Sequence, residues 1–208
     1  MTKPAILLVS LTLLFTTTWS QNITSKKTVI DNPADVSITS NSTDLPFFTS
    51  SADAEKIVTS IMSAMGLESD FKIKEAHVPN VEAKIRHHER YILYNPQFIS
   101  QVNTVTRNKW ASIFILAHEV GHHLDGHTLL DINSRPGIEL EADQFAGFVL
   151  CRMGATLKQT QLAMYYIANI DASKTHPGRA DRLLAIEKGW NKAEAEVAGV
   201  RDNGSTSN

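Results

Sequence analysis

The chain has one cysteine, Cys151, so no intrachain disulfide can hold the fold together. Its setting in Phe148-Val149-Leu150-Cys151 is apolar, which suits a buried, inert thiol better than a reactive one. Neither sign of charge is in excess: 20 Lys and Arg face 22 Asp and Glu, for a formal charge of −2, without a long block of like charges. Nucleic acid is therefore not an expected partner, because phosphate binding wants a concentrated basic surface. No apolar run reaches the roughly 20 residues needed to cross a bilayer, so no transmembrane span is expected in the mature chain. Internal repeats and low-complexity tracts are missing from the central region. The 208 residues are 42% hydrophobic, enough for one globular core with tails.

The N-terminus is patterned like an export signal. Lys3 supplies the positive start, Ala5 to Phe15 the apolar centre, and small polar residues follow up to Ser20. A signal peptide is expected over residues 1–20, with cleavage near Thr18-Trp19-Ser20, and a periplasmic or secreted location follows. An uncleaved N-terminal anchor is the alternative. Residues 21–50, rich in Ser, Thr, Asn and Asp, form a solvated linker arm in this reading. The folded domain is expected over 51–195, and 196–208 as a disordered tail.

Within the domain, Ser51 is an expected N-cap, with Asp53 and Glu55 in the first turn. Ala54, Ile57, Val58, Ile61, Met62 and Met65 recur at helical spacing until Gly66. Phe71 to Glu75 and Val81 to Arg86 alternate as half-buried strands, and Arg90 to Tyr94 is a third strand candidate closed by Asn95-Pro96. His87 and His88 fall at the turn between the second and third strands, and His77 is likewise a solvated residue. Helices are expected from Trp110 to Leu124, Ile138 to Met153, Leu157 to Ile170, and from Pro177 past Trp190. Such a chain is α+β, mostly helical, with a small antiparallel or mixed sheet.

The helix from Trp110 carries the chemistry, in His118-Glu119-Val120-Gly121-His122. Residues four apart lie one above the other on a helix, so both imidazoles project from one face and can share a metal ion. Glu119 lies beside them, placed to take a proton from an attacking water. Alone, so short a pattern also arises by chance in a core helix. A catalytic zinc usually has three protein ligands. The H-E-x-x-H-x-x-G-x-x-H class is excluded, because positions 125 and 128 hold Asp125 and Thr128, and His127 falls one residue out of register. The other common third ligand is a carboxylate on a following helix, and Glu139-Leu140-Glu141-Ala142-Asp143 offers one. Glu139, Ala142, Asp143 and Ala146 share a helix face, whereas Glu141 projects about 200° away. The two alanines permit a close approach to the histidine helix, so Glu139 is the expected ligand and Asp143 the carboxylate that orients a ligand imidazole.

Three stretches together resemble the HtpX-like and CAAX-prenyl-protease group of gluzincin zinc metalloproteases, peptidase family 48. Ala117 to His127 looks like that family's active-site helix, and Glu139 to Ala146 is similar to its E-x-x-A-D segment, whose first Glu binds zinc. Thr175-His176-Pro177 to Arg182 looks like its T-H-P-x-x-x-R element. The resemblance spans about Ser51 to Trp190 and implies a zincin-like fold with one catalytic zinc ion held by His118, His122 and Glu139. It implies peptide-bond hydrolysis with Glu119 as general base. It places His176 near the metal as a catalytic residue that stabilises the oxyanion or occupies the open position, the plain alternative being a helix-entry residue before Pro177. Arg182 either supports the site through a carboxylate or faces solvent, and His123 and Asp125 are adequately explained as a solvated helix end. The family's membrane helices have no counterpart here, so prenylated or membrane substrates are not expected. The expected function is an exported zinc endopeptidase whose polypeptide substrate lies extended along a sheet edge, Val81 to Arg86. The alternatives are a catalytically silent zincin-fold domain with a binding or chaperone-like role, and an aminopeptidase.

Overall fold

The computed structural model of the chain describes residues 45–129 and 135–204, with side chains as far as Val197. The expected signal peptide and most of the expected arm lie outside these residues. The arm nevertheless ends earlier than expected: Leu45 and Phe48 are buried, and the Phe48 ring packs edge-on against Tyr94 at 4.7 Å between centroids. Helix α1, Ser51–Ala64, is capped by Ser50 rather than Ser51, with the Ser50 hydroxyl accepting from the Asp53 amide at 3.2 Å. The Asp53 carboxylate accepts from Thr49 and Ser50 hydroxyls in return, which locks the entry to the helix. Its apolar stripe, Ala54, Ile57, Val58, Ile61 and Met62, faces the core.

Strands β1, Phe71–Glu75, β2, Val81–Arg86, and β3, Glu89–Tyr94, form one mixed sheet in the order β1-β3-β2. β2 and β3 pair antiparallel through a hairpin whose tip is His87-His88, and β1 pairs parallel with β3. Both histidines have positive φ, 51° and 64°, as a tight hairpin turn demands. Since β3 is central, β2 is left as an edge strand, and that edge matters for the site.

Helix α2, Pro96–Thr106, is an element the sequence pattern does not announce, where Asn95-Pro96 reads only as the end of a strand. Those two residues are its start signal. The Asn95 side chain accepts from the Gln97 amide at 2.9 Å, and Pro96 occupies the first turn, where a missing N–H costs nothing. Phe98, Ile99 and Val102 then bury at helical spacing.

Helix α3, Lys109–Leu124, runs through the middle of the molecule, and every residue from Trp110 to Gly121 is buried. Helix α4, Pro136–Arg152, α5, Leu157–Ile167, and α6, Arg179–Gly204, complete the fold. α6 begins two residues after Pro177 and continues to Gly204, well into the expected tail; residues 205–208 lie outside those described. The architecture is thus α+β, helices around one central helix with a small sheet on one flank. Among the described residues no helix is long and apolar enough to cross a membrane. Cys151 is half-buried and unpaired, and burial pushes its thiol up to about 11, so it stays protonated.

Candidate metal centre

The site is assembled on α3. Asn108 caps the helix through the Trp110 amide at 2.9 Å, and the apolar residues around it hold it in the core, so His118 and Glu119 are carried into the interior. The four-residue spacing brings the two Nε2 atoms of His118 and His122 to 3.1 Å. α4 crosses α3 at Gly121, where a Cβ would stand 3.1 Å from Phe145 Cδ1 and 3.3 Å from the Ala142 Cα. That close backbone approach sets Glu139, one turn before Ala142, over the histidines. Its carboxylate oxygens lie 3.5 Å from His118 Nε2 and 3.7 Å from His122 Nε2.

Donors held at 2.0–2.1 Å around a tetrahedral ion stand roughly 3.3 Å apart, so edges of this length suit one ion at their centre. His118, His122 and Glu139 therefore form a group that could bind a metal ion. Glu141, the rival carboxylate, points elsewhere; its side chain is 65% exposed and contacts His127.

Two further residues expected at the site, Asp143 and Arg182, lie beside it. Asp143 is fully buried, with Oδ1 3.0 Å from His118 Nδ1. The approach is close but off-line, so Nδ1 makes no aligned hydrogen bond. Arg182, 4% exposed, does not face solvent: it grips both Asp143 oxygens at 2.6 and 2.8 Å and reaches within 3.6 Å of Glu139. The fork-to-fork geometry fixes the carboxylate against the histidine.

Glu119 is 9% exposed, and its Oε2 accepts from the Ala83 amide of β2 at 2.7 Å. A cleft of about 430 Å³ opens here between β2 and the helices, with His118, His122, Glu119 and Glu139 in its wall. Phe98, Ile115, Met164 and Ile167 supply an apolar part of the same wall. His176 also lines the cleft, but it sits in the loop ahead of α6, partly exposed, with Nδ1 2.8 Å from the Thr175 hydroxyl. The helix-entry explanation for it lapses, because α6 starts at Arg179.

The electrostatics suit a cation. Burial works against a charged His118, yet Asp143 and Glu139 outweigh it and raise the imidazole to about 10. Burial together with His118 pushes His122 down to about 3, leaving it neutral. Burial raises Glu119 to about 7, with Glu139 adding to the effect. Asp143 is held below the usual carboxylate range: Arg182 overcomes its burial.

Other histidines sort differently from the sequence reading. His123 is tied to the fold, its Nε2 on the Tyr91 carbonyl at 2.9 Å and Nδ1 on the Thr128 hydroxyl at 3.1 Å, so it is no solvated helix end. His127, one residue out of register for the longer histidine motif, lies against His122, with the two Nδ1 atoms 3.1 Å apart. It follows Gly126, outside the helix, where periodicity carries no information. The Ala83 amide is a backbone group and had no signal in the sequence at all. Comparison with family models, with curated proteins and with solved structures finds no match.

Proposed function

We propose that the protein is an exported zinc-dependent endopeptidase, with His118, His122 and Glu139 as metal ligands and Glu119 as general base. The observation that carries this reading is the buried His118–His122–Glu139 triangle with a second carboxylate, Glu119, beside it, both open to a cleft along a sheet edge. Zinc, when bound there, acts as a Lewis acid on a carbonyl and makes water nucleophilic near neutral pH. Glu119 takes the proton of the attacking water and returns it to the departing amine. The Ala83 amide fixes which way its carboxylate faces. Asp143, clamped by Arg182, orients His118. His176, which lines the same cleft, stabilises the oxyanion in this reading.

Substrate lies extended along β2 in this reading. Because Ala83 turns its N–H away from β3 toward Glu119, residues of the same parity present their backbone groups outward. The Ala83 carbonyl and the Ile85 amide are then the groups that pair with a peptide, giving affinity without a demand for particular side chains. Export rests on the N-terminal pattern of Lys3 and Ala5 to Phe15.

The test is digestion of a protein library by purified protein, with new termini mapped, before and after exhaustive chelation and after stoichiometric zinc. Internal cuts that vanish with chelation and return with zinc are expected. Stepwise trimming from N-termini would make it an aminopeptidase, no cuts a silent binding domain, and cleavage that survives chelation would refute the metalloenzyme reading.

A further inference from the structure

His127 and Glu141 have no part in the ligand set, yet they form a chain that ends on it. Gly126, at φ +75°, turns the polypeptide back after α3, and a short 3₁₀ turn, His127–Leu129, follows. This tucks the His127 side chain, only 9% exposed, under His122. The rings meet at 64° with centroids 5.3 Å apart. His127 Nδ1 is 3.1 Å from His122 Nδ1, and its Nε2 is 3.0 Å from Glu141 Oε2.

From this geometry we infer that His127 is a positioning residue for the metal ligand His122, anchored in turn by Glu141. The inference rests on the metal reading above. If His122 uses Nε2 on the metal, its proton must sit on Nδ1, which then donates. His127 Nδ1 can only accept that bond, so its own proton sits on Nε2 and is donated to Glu141. A solvated His127–Glu141 ion pair is the plain alternative. It would protonate both nitrogens of His127 and set one N–H against another at 3.1 Å, which ligation by His122 forbids. Each ligand histidine is thus backed by its own pair: His118 by Asp143 and Arg182 in the interior, His122 by His127 and Glu141 at the surface. Fixing the tautomer and orientation of a ligand imidazole in this way typically governs 10–100-fold in metal affinity.

The experiment measures the zinc dissociation constant by competition with a chromophoric chelator, and the visible spectrum of the cobalt-substituted protein, for the full chain and three variants. His127→Leu should weaken zinc by about 10–100-fold and shift the cobalt bands. His127→Asn, whose amide oxygen stands where Nδ1 stood, should recover most of both. Glu141→Ala, at an exposed position, should stay folded and show a smaller but measurable loss. Wild-type affinity in folded His127→Leu, or no recovery in folded His127→Asn, would overturn the relay while leaving the metal site intact. If His127→Leu does not fold, Glu141→Ala decides, and unchanged affinity there overturns it. A wild-type chain that binds no zinc refutes the metal reading itself, and the relay with it.

Discussion

Replacing Gly189 by Ala tests whether the packing of α6 on α4 holds the site together. Two influences compete, with opposite signs. In a helix interior, Gly→Ala ordinarily stabilises by about 0.8–1 kcal/mol. Here a Cβ would stand 1.9 Å from the Gln144 carbonyl oxygen and 2.9 Å from the Phe148 amide nitrogen. Both are backbone atoms of α4, so no side chain can swing aside, and the helices must part by about 1 Å. Overpacking of this kind costs about 1–3 kcal/mol, occasionally more, and backbone against backbone belongs at the upper end. Sterics win, by a net of about 1–2 kcal/mol, which for a chain this size lowers Tm by roughly 2–8 °C. The same parting pulls Arg182 off Asp143, whose bonds are only 2.6 and 2.8 Å long, so zinc affinity should fall as well. The matched control is Gly137→Ala, on α4 with nothing within 4 Å of its new Cβ; it should raise stability by at most about 1 kcal/mol. Thermal melts of the three proteins by circular dichroism measure this. If Gly189→Ala melts at or above the wild type, the argument that this contact is closed against any side chain is wrong.

Glu139→Ala should lose zinc and hydrolysis together, whereas Glu141→Ala should still hold one zinc per chain at saturating metal, as read by metal analysis of the purified variants; the opposite pattern would reverse the ligand assignment. Glu119→Gln should keep the metal and the fold while losing most turnover, since an amide cannot take the proton, and undiminished cleavage would remove Glu119 from the mechanism. Arg182→Met leaves the buried Asp143 carboxylate without its partner, and should destabilise by about 3–5 kcal/mol in denaturant titration. A loss below about 1 kcal/mol would mean that the pair is not the closed, desolvated one that its 2.6 Å contact and near-zero exposure indicate.

The sequence by itself determined most of the elements and the two facing histidines. Helical periodicity places His118 over His122 whatever surrounds them, because four residues make just over one turn. The same periodicity separates Glu139 from Glu141, and the alanine at 142 announces the close crossing that Gly121 then completes. Alternation marks the first two strands and an apolar run the third, though not their order, since a strand's residues say which face is buried and nothing about its neighbour. Tertiary structure decided the remainder. It made β3 central and so left β2 as the edge beside Glu119, and it brought Arg182, 39 residues along the chain, onto Asp143. It also turned His127 back under His122, through a glycine at positive φ that no periodicity can foresee. Local spacing encodes direction along one helix. Contacts between elements depend on which surfaces meet, and that is settled only when the whole apolar core closes around α3.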